Sequence, residues 1–265
     1  MKKVKDYYNR HVNEEDRRLD NNPFEIPVTL KYIEKYISPG DTVLDVACGT
    51  GRYAELLLNR GYRLFLNDLS GKNMERARQR TKGKPGLLGT LVSDALRSSV
   101  WEKHDWDAIL VLGPLYHLPA KEDRLALLRK AAASVQSGGY LYLAFMSRTA
   151  AMLYGLKNNP SGIEREDGAV KLWETGTDKS FVEGTEWFTN AHFTFPEEVP
   201  SLLRESGLEM LHLVGLEGIF GENMELFHNL SRPLQKKWMN FVMDHGEDMH
   251  MVQYSKHLLC VCRPA

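Results

Sequence analysis

The residues best placed to do chemistry lie in Val43-Leu44-Asp45-Val46-Ala47-Cys48-Gly49-Thr50-Gly51-Arg52-Tyr53, an apolar strand that runs into a glycine turn and then a helix. Gly49 and Gly51 remove side chains where a ligand must approach the backbone, and the helix that follows offers free N–H groups. The spacing Gly49-x-Gly51-x-x-Ala54 also fits a relaxed dinucleotide fingerprint with alanine at its third position. Asp45 separates the two readings. A carboxylate near the end of this strand repels a pyrophosphate and attracts a cationic ligand. Two more acids follow in order. Asp68 closes Leu64-Phe65-Leu66-Asn67, where it can accept both hydroxyls of a ribose, and Asp94 follows Ser93 at the end of the next strand, within reach of an adenine amino group. Each acid alone is explained as a helix cap. Three at consecutive strand ends beside a glycine turn are not.

Such acids share one edge only if strands alternate with helices. The sequence opens with a polar helical stretch from about Val4 to Asp20, breaks at Asn21-Asn22-Pro23, and continues as a helix to about Ile37 that Ser38-Pro39-Gly40-Asp41 ends. The periodicity then predicts strand Thr42 to Ala47, helix Tyr53 to Asn59, strand Tyr62 to Asn67 and helix Gly71 to Lys82. Strands Leu87 to Ser93 and Trp106 to Leu112, helix Lys121 to Val135, and strand Tyr140 to Met146 after Gly138-Gly139 complete an α/β pattern. Strands separated by helices imply a parallel sheet with right-handed crossovers. From Ser147 to Asn190 the periodicity fails at Gly155, Pro160, Gly162, Gly168, Gly176 and Gly184, which predicts a lid or substrate-binding insertion after the fifth strand. Order returns with Ala191 to Phe195, a helix from Pro196, strand Leu208 to Leu216, a helix near Pro233 to His245 and strand His257 to Cys262. One domain is therefore expected over 1–265: a helical cap at 1–40, a binding core at 41–146, the insertion at 147–190, and the rest of the sheet at 191–265.

Composition narrows the classes. The chain has 265 residues, 43% hydrophobic and 26% charged, an ordinary globular balance able to bury a full core. With 34 basic against 35 acidic side chains there is no global positive field for a phosphate backbone, so nucleic acid is not the expected partner. Met1-Lys2-Lys3-Val4-Lys5-Asp6 runs into tyrosines and asparagine rather than an apolar stretch, and no run approaches the roughly 18 apolar residues that cross a bilayer. A cytoplasmic protein, neither secreted nor membrane-spanning, is expected. Cys48, Cys260 and Cys262 are read as reduced thiols: Cys260 and Cys262 share one strand face without a second pair to complete a metal site.

Motif by motif, about Asp41 to Met146 resembles the class I S-adenosylmethionine-dependent methyltransferases. Asp45-x-x-Cys48-Gly49-x-Gly51 stands for the first motif of that family, with Cys48 where glycine is usual; Asp68 stands for the ribose acid, Asp94-Ala95 for the adenine contact, and Trp106 to Leu112 for the fourth strand. The resemblance implies a Rossmann-like, seven-stranded, mostly parallel sheet with an antiparallel terminal strand and helices on both faces. It implies S-adenosyl-L-methionine as cofactor, with Ala47, Leu69, Leu112 and Gly113 among its contacts.

Gly113-Pro114-Leu115-Tyr116-His117-Leu118 then falls where the family meets its methyl acceptor. Gly113 and Leu115 depart from the Asn-Pro-Pro-aromatic tetrad of amide and exocyclic-amine methylation, so DNA adenine is discounted. His117 is the candidate base, against a role shaping the pocket, and Tyr116 is a candidate wall of the reaction site. A dedicated base is not required, because a sulfonium is already an activated leaving group. Tyr7-Tyr8-x-x-His11 and Arg17-Arg18 resemble the helix that closes over the cofactor in small-molecule members, which makes Tyr8 and Arg18 candidates. Arg148 and His192, with Trp173, Trp187 and Phe188, are candidates for an acceptor pocket. The run Arg76 to Lys84 reads as a solvated helix face whose cations suit the C-terminal dipole. A methyltransferase acting on a small-molecule oxygen, nitrogen or carbon nucleophile is expected, without a metal. The rivals are an RNA or protein methyltransferase, a nicotinamide-dependent oxidoreductase, and a cofactor-binding module without catalysis.

Overall fold

The computed structural model describes residues 2–102, 105–178 and 191–265. Three helices, α1 (Lys2–Arg10), α2 (Val12–Asn21) and α3 (Glu25–Tyr36), precede β1 (Thr42–Asp45). The single helix expected from Val4 to Asp20 is thus two, because the chain leaves helical geometry at His11, whose side chain meets Glu14. The break lets each half reach a different anchor. On α1 the Asn9 side-chain Oδ1 accepts from the Ser70 hydroxyl, and on α2 Asp16 accepts from the Thr50 hydroxyl and pairs with Arg80 at 2.9 Å. That pairing also absorbs part of the basic run expected to be a solvated face.

The core alternates strand and helix: α4 (Arg52–Asn59), β2 (Arg63–Asp68), α5 (Gly71–Thr81), β3 (Leu87–Val92), β4 (Trp106–Val111), α6 (Lys121–Ser134) and β5 (Val135–Met146). β5 begins before the predicted Tyr140, the register slip opposite Trp106 to Ala108 taking up the extra residues. The insertion is more regular than its glycines suggested. It holds α7 (Arg148–Asn158) and α8 (Ala169–Thr175), then a ribbon of β6 (Thr177–Asp178) and β7 (Ala191–His192). Ser147 accepts from the Ala150 N–H to start α7, and Gly176, left-handed at φ 68°, ends α8. Trp187 and Phe188 lie outside the described residues. The chain continues through α9 (Val199–Glu205), β8 (Leu208–Gly215), α10 (Met224–His228), α11 (Arg232–His245), α12 (Met249–Tyr254) and β9 (His257–Pro264).

Seven strands form one sheet in the order β3-β2-β1-β4-β5-β9-β8. The first five are parallel, and β9 runs antiparallel between β5 and β8. The central strands β1 and β4 are buried on both faces, as parallel sheets require, while the edge strands β3 and β8 are partly open. On β4, Ala108 and Leu110 pack with Phe24, Val28, Leu57 and Val242 of one face, while Ile109 and Val111 pack with Leu127, Leu128, Val199 and Leu203 of the other. Cys48, Cys260 and Cys262 are buried free thiols. The strand order reverses between β1 and β4, so the carboxyl ends of these strands open a crevice, the usual ligand position in such sheets. Because β9 is antiparallel, its first residue, His257, stands opposite Met146 at this same edge. Among the described residues no helix is long and apolar enough to cross a membrane.

Candidate active site

At the crevice the chain turns on Gly49 (φ 54°) and Gly51 (φ 82°), a left-handed geometry that other residues adopt only under strain. A Cβ on Gly51 would stand 2.9 Å from the Ala77 Cα, so α5 can pack close behind the loop only at glycine. The Gly49 N–H donates to Asp68 Oδ2 at 2.8 Å and the Ser70 N–H to Oδ1 at 2.7 Å. Burial nevertheless raises the Asp68 carboxyl from 3.8 to about 6. Asp45, 2% exposed beneath the loop, accepts among the described residues only the Ala47 N–H, and burial raises it to about 7. The Asn67 amide donates to the carbonyls of Val46 and Ser93, fastening the three strand ends together.

The cleft over this loop is walled by Tyr8, Ala47, Gly49, Asp68, Leu69, Ala95, Leu112, Gly113, Tyr116 and His117, all singled out in the sequence. Asp45, Gly51 and Asp94 stand behind it rather than in its wall. Asp94 turns back to accept the Leu96 N–H at 3.0 Å. Glu15 and Asn73 also face the cleft without having been foreseen, since no motif marks them. His117 is 6% exposed, shares a 2.8 Å hydrogen bond between its Nε2 and the Tyr8 hydroxyl, and is lowered by burial to about 3.

A second cavity of about 360 Å³ opens beyond Tyr8, Glu15 and Tyr116, which both spaces share. Met146, Ala150, Ala151, Leu172 and Phe193 form its apolar side; Tyr7, Arg18, Tyr154, Glu222, Lys256 and His257 form its polar side. Arg18 bridges Glu15 (2.9 Å) and Glu25 (2.6 Å). Glu25 is buried, which would raise its carboxyl, but the Arg18 charge prevails and lowers it. His257 is anchored through Nδ1 to Glu217 at 2.5 Å.

Two expected acceptor contacts are corrected. Arg148, 3% exposed, donates to both Glu198 oxygens (2.7 and 2.9 Å) and to the carbonyls of Phe193 and Trp173, so its charge fastens the insertion and does not face the cavity. His192 is buried in the ribbon opposite Thr177 and is absent from the cavity wall; burial, with Arg124 and Arg148 nearby, lowers it to about 3. Trp173 lies 48% exposed against Phe195. The cavity instead uses Leu172 and Phe193, the neighbours on either side of these choices, and His257, which the sequence reading passed over as the start of a strand.

A sheet of this order, with a glycine turn after its first strand and acids at its strand ends, defines the Rossmann-like methyltransferase architecture. Residues 43–139 match the family described as a methyltransferase domain. The ubiquinone biosynthesis O-methyltransferase of Xanthomonas axonopodis pv. citri (strain 306) is 25% identical over 219 residues, 82% of this chain and 80% of the relative. In fold the chain is similar to the N-methyltransferase NodS of Bradyrhizobium japonicum WM9 in complex with S-adenosyl-L-homocysteine, with TM-score 0.62, 18% identity and 98% of each chain covered. It is likewise similar to DhpI with S-adenosylhomocysteine, with TM-score 0.62, 16% identity and 99% and 95% covered. The chain is an S-adenosylmethionine-dependent methyltransferase whose methyltransferase domain matches over residues 43–139.

Its residues fit that cofactor. Asp45 and Asp68 are buried acids raised toward neutrality, and neither forms an ion pair among the described residues. A ligand bearing positive charge and hydroxyl donors supplies what both lack. Among the described residues nothing stands within 4 Å of the position a Cβ would take on Gly49, so the backbone there is open to a close approach.

Proposed function

We propose that the enzyme methylates a hydroxyl group of a small aromatic molecule held in the 360 Å³ cavity. The observation that carries this reading is the continuity of the two spaces through Tyr8, Glu15 and Tyr116: a compact acceptor in the second faces the cofactor in the first. The bound cofactor supplies a methyl group already activated on a sulfonium. Tyr8 and Tyr116 set the width of the passage, and the N-terminal helices, latched by Asp16 and Asn9, exclude water above it. The apolar side suits a ring and the polar side its substituents. The relatives named for ubiquinone biosynthesis are O-methyltransferases, which supports oxygen as the nucleophile over nitrogen or carbon. A walled cavity and a net charge of -1 speak against an RNA or a protein surface as acceptor.

Calorimetry with S-adenosylmethionine, followed by mass-spectrometric detection of methylated product from a panel of catechols and hydroxybenzoates, tests the reading. Binding with turnover of a phenol is the expected result. Binding without turnover of any phenol or amine overturns it in favour of a non-catalytic binding module.

A further inference from the structure

We infer that His257 is a catalytic residue that takes the acceptor's hydroxyl proton on Nε2, and that Glu217 is the positioning residue that aims its ring. The inference rests on the small-molecule hydroxyl reading above and specifies which group of this chain serves it.

Glu217 follows the end of β8 and is fully buried. Its Oε1 accepts from the Asn22 amide (2.7 Å) and faces His257 Nδ1 (2.5 Å); its Oε2 accepts from the Ser255 hydroxyl (2.7 Å) and the N–H groups of Lys256 (3.1 Å) and His257 (2.9 Å). Burial alone would raise this carboxyl, but the attraction of His257 and these donors hold it at about 2. Glu217 is therefore a fixed negative charge with a fixed orientation. A carboxylate on Nδ1 selects the tautomer with its proton there and leaves the Nε2 lone pair available. Among the described residues Nε2 has no partner, and the ring forms part of the cavity wall.

The surroundings suit a group that gains charge during the reaction. Glu25 lies 3.9 Å from His257 Nδ1 and is itself held by Arg18; Lys256 is turned toward Glu222 (3.6 Å) and the Tyr154 ring. Glu25, Glu217 and His257 are also spaced to hold a metal ion. Their donor set is already spent, however: five donors face the Glu217 oxygens and a guanidinium caps Glu25, so a proton relay suits these residues better than a cation. His117 is the weaker choice for the base. It walls the cofactor side, is tied to Tyr8, and its lowered pKa makes it a poor acceptor for a phenolic proton.

In the step, the acceptor oxygen forms a bond to the methyl carbon as the carbon–sulfur bond breaks and its electron pair returns to sulfur. The hydroxyl proton passes to His257 Nε2, and the imidazolium, stabilised by Glu217, later yields it to solvent. The acceptor class is therefore a hydroxyl that still carries its proton when bound.

The test compares methyl transfer from S-adenosylmethionine to catechol, which keeps its protons at about pH 8, and to 4-nitrocatechol, which has lost one, in wild type, H257Q and E217Q. Loss of a general base costs about 100-fold or more, so the ratio of kcat on catechol to kcat on 4-nitrocatechol is expected to fall at least about 30-fold in H257Q. In E217Q the same ratio is expected to fall about 10-fold, a selective effect that a purely structural role would not produce. The amide introduced by E217Q is buried against Asn22 and threatens folding, and H257Q carries the test independently. An unchanged ratio in H257Q, or wild-type turnover confined to 4-nitrocatechol, overturns the base while leaving the phenol reading intact. Wild type that binds S-adenosylmethionine and methylates neither catechol overturns the phenol reading, and the base with it.

Discussion

Asp45→Asn is expected to stabilise the ligand-free enzyme and weaken its cofactor binding. Asp45 is 2% exposed, accepts a single N–H at 3.3 Å, and is raised from an ordinary 3.8 to about 7 by burial first and the nearby Asp68 charge last. Below about pH 4 the acid is protonated whether the chain is folded or not, and it costs nothing. Between about pH 4 and 7 the unfolded chain ionises while the folded one stays protonated, so folding stability falls as pH rises. Above about pH 7 the full penalty applies, on the order of 4 kcal/mol as an upper bound. Asparagine keeps the oxygen that accepts the Ala47 N–H and carries no charge. Urea unfolding of the two proteins between about pH 5 and 8 should therefore show a gain for Asp45→Asn that grows with pH, to as much as about 4 kcal/mol. Calorimetry at the upper pH should show S-adenosylmethionine binding weakened about 10-fold, because the variant lacks the buried negative charge that attracts a cationic ligand from behind the loop. A variant equally or less stable than wild type across this range, or one that binds the cofactor unchanged, refutes the reasoning.

Two further substitutions test the loop and the insertion. Gly51→Ala places a Cβ 2.9 Å from the Ala77 Cα at a φ of 82°, and is expected to cost about 3 kcal/mol in urea unfolding while abolishing measurable cofactor binding. Arg148→Met removes the guanidinium from Glu198 and two carbonyls; it should cost about 2 kcal/mol, read as a lowered urea midpoint. The same variant should leave the KM for 4-nitrocatechol within about 3-fold, because Arg148 does not face the cavity.

The parts of the molecule legible in the sequence are those set by neighbours in the chain. Val43 to Tyr53 reads as strand, turn and helix because an apolar run must end, Gly49 and Gly51 alone accept positive φ without strain, and Ala54 begins a buried helical face. Asp68 and Asp94 were visible because each falls at a strand end, Asp68 as the last residue of β2 and Asp94 two residues past β3. The N-terminal break at His11 was not visible, since it serves Asn9 and Asp16 contacts with Ser70, Thr50 and Arg80 that only the folded chain contains. Nor were α7, which carries Gly155 in its interior, and α8, which Gly168 and Gly176 flank.

Taken alone, the sequence determined the glycine turn and the acids at the strand ends, because a need for positive φ and a place at a strand end are local requirements that leave a local pattern. Tertiary structure alone decided the lining of the 360 Å³ cavity. His257 meets Glu217 because β9 enters the sheet antiparallel between β5 and β8, which returns the start of the last strand to the edge where β5 and β8 end. Arg148 was equally prominent in the sequence, yet it turned inward, since a buried guanidinium needs a carboxylate and Glu198 is the one the fold brings to it. Periodicity tells which face of an element is buried, but the partner that a buried charge finds there depends on elements distant in the chain.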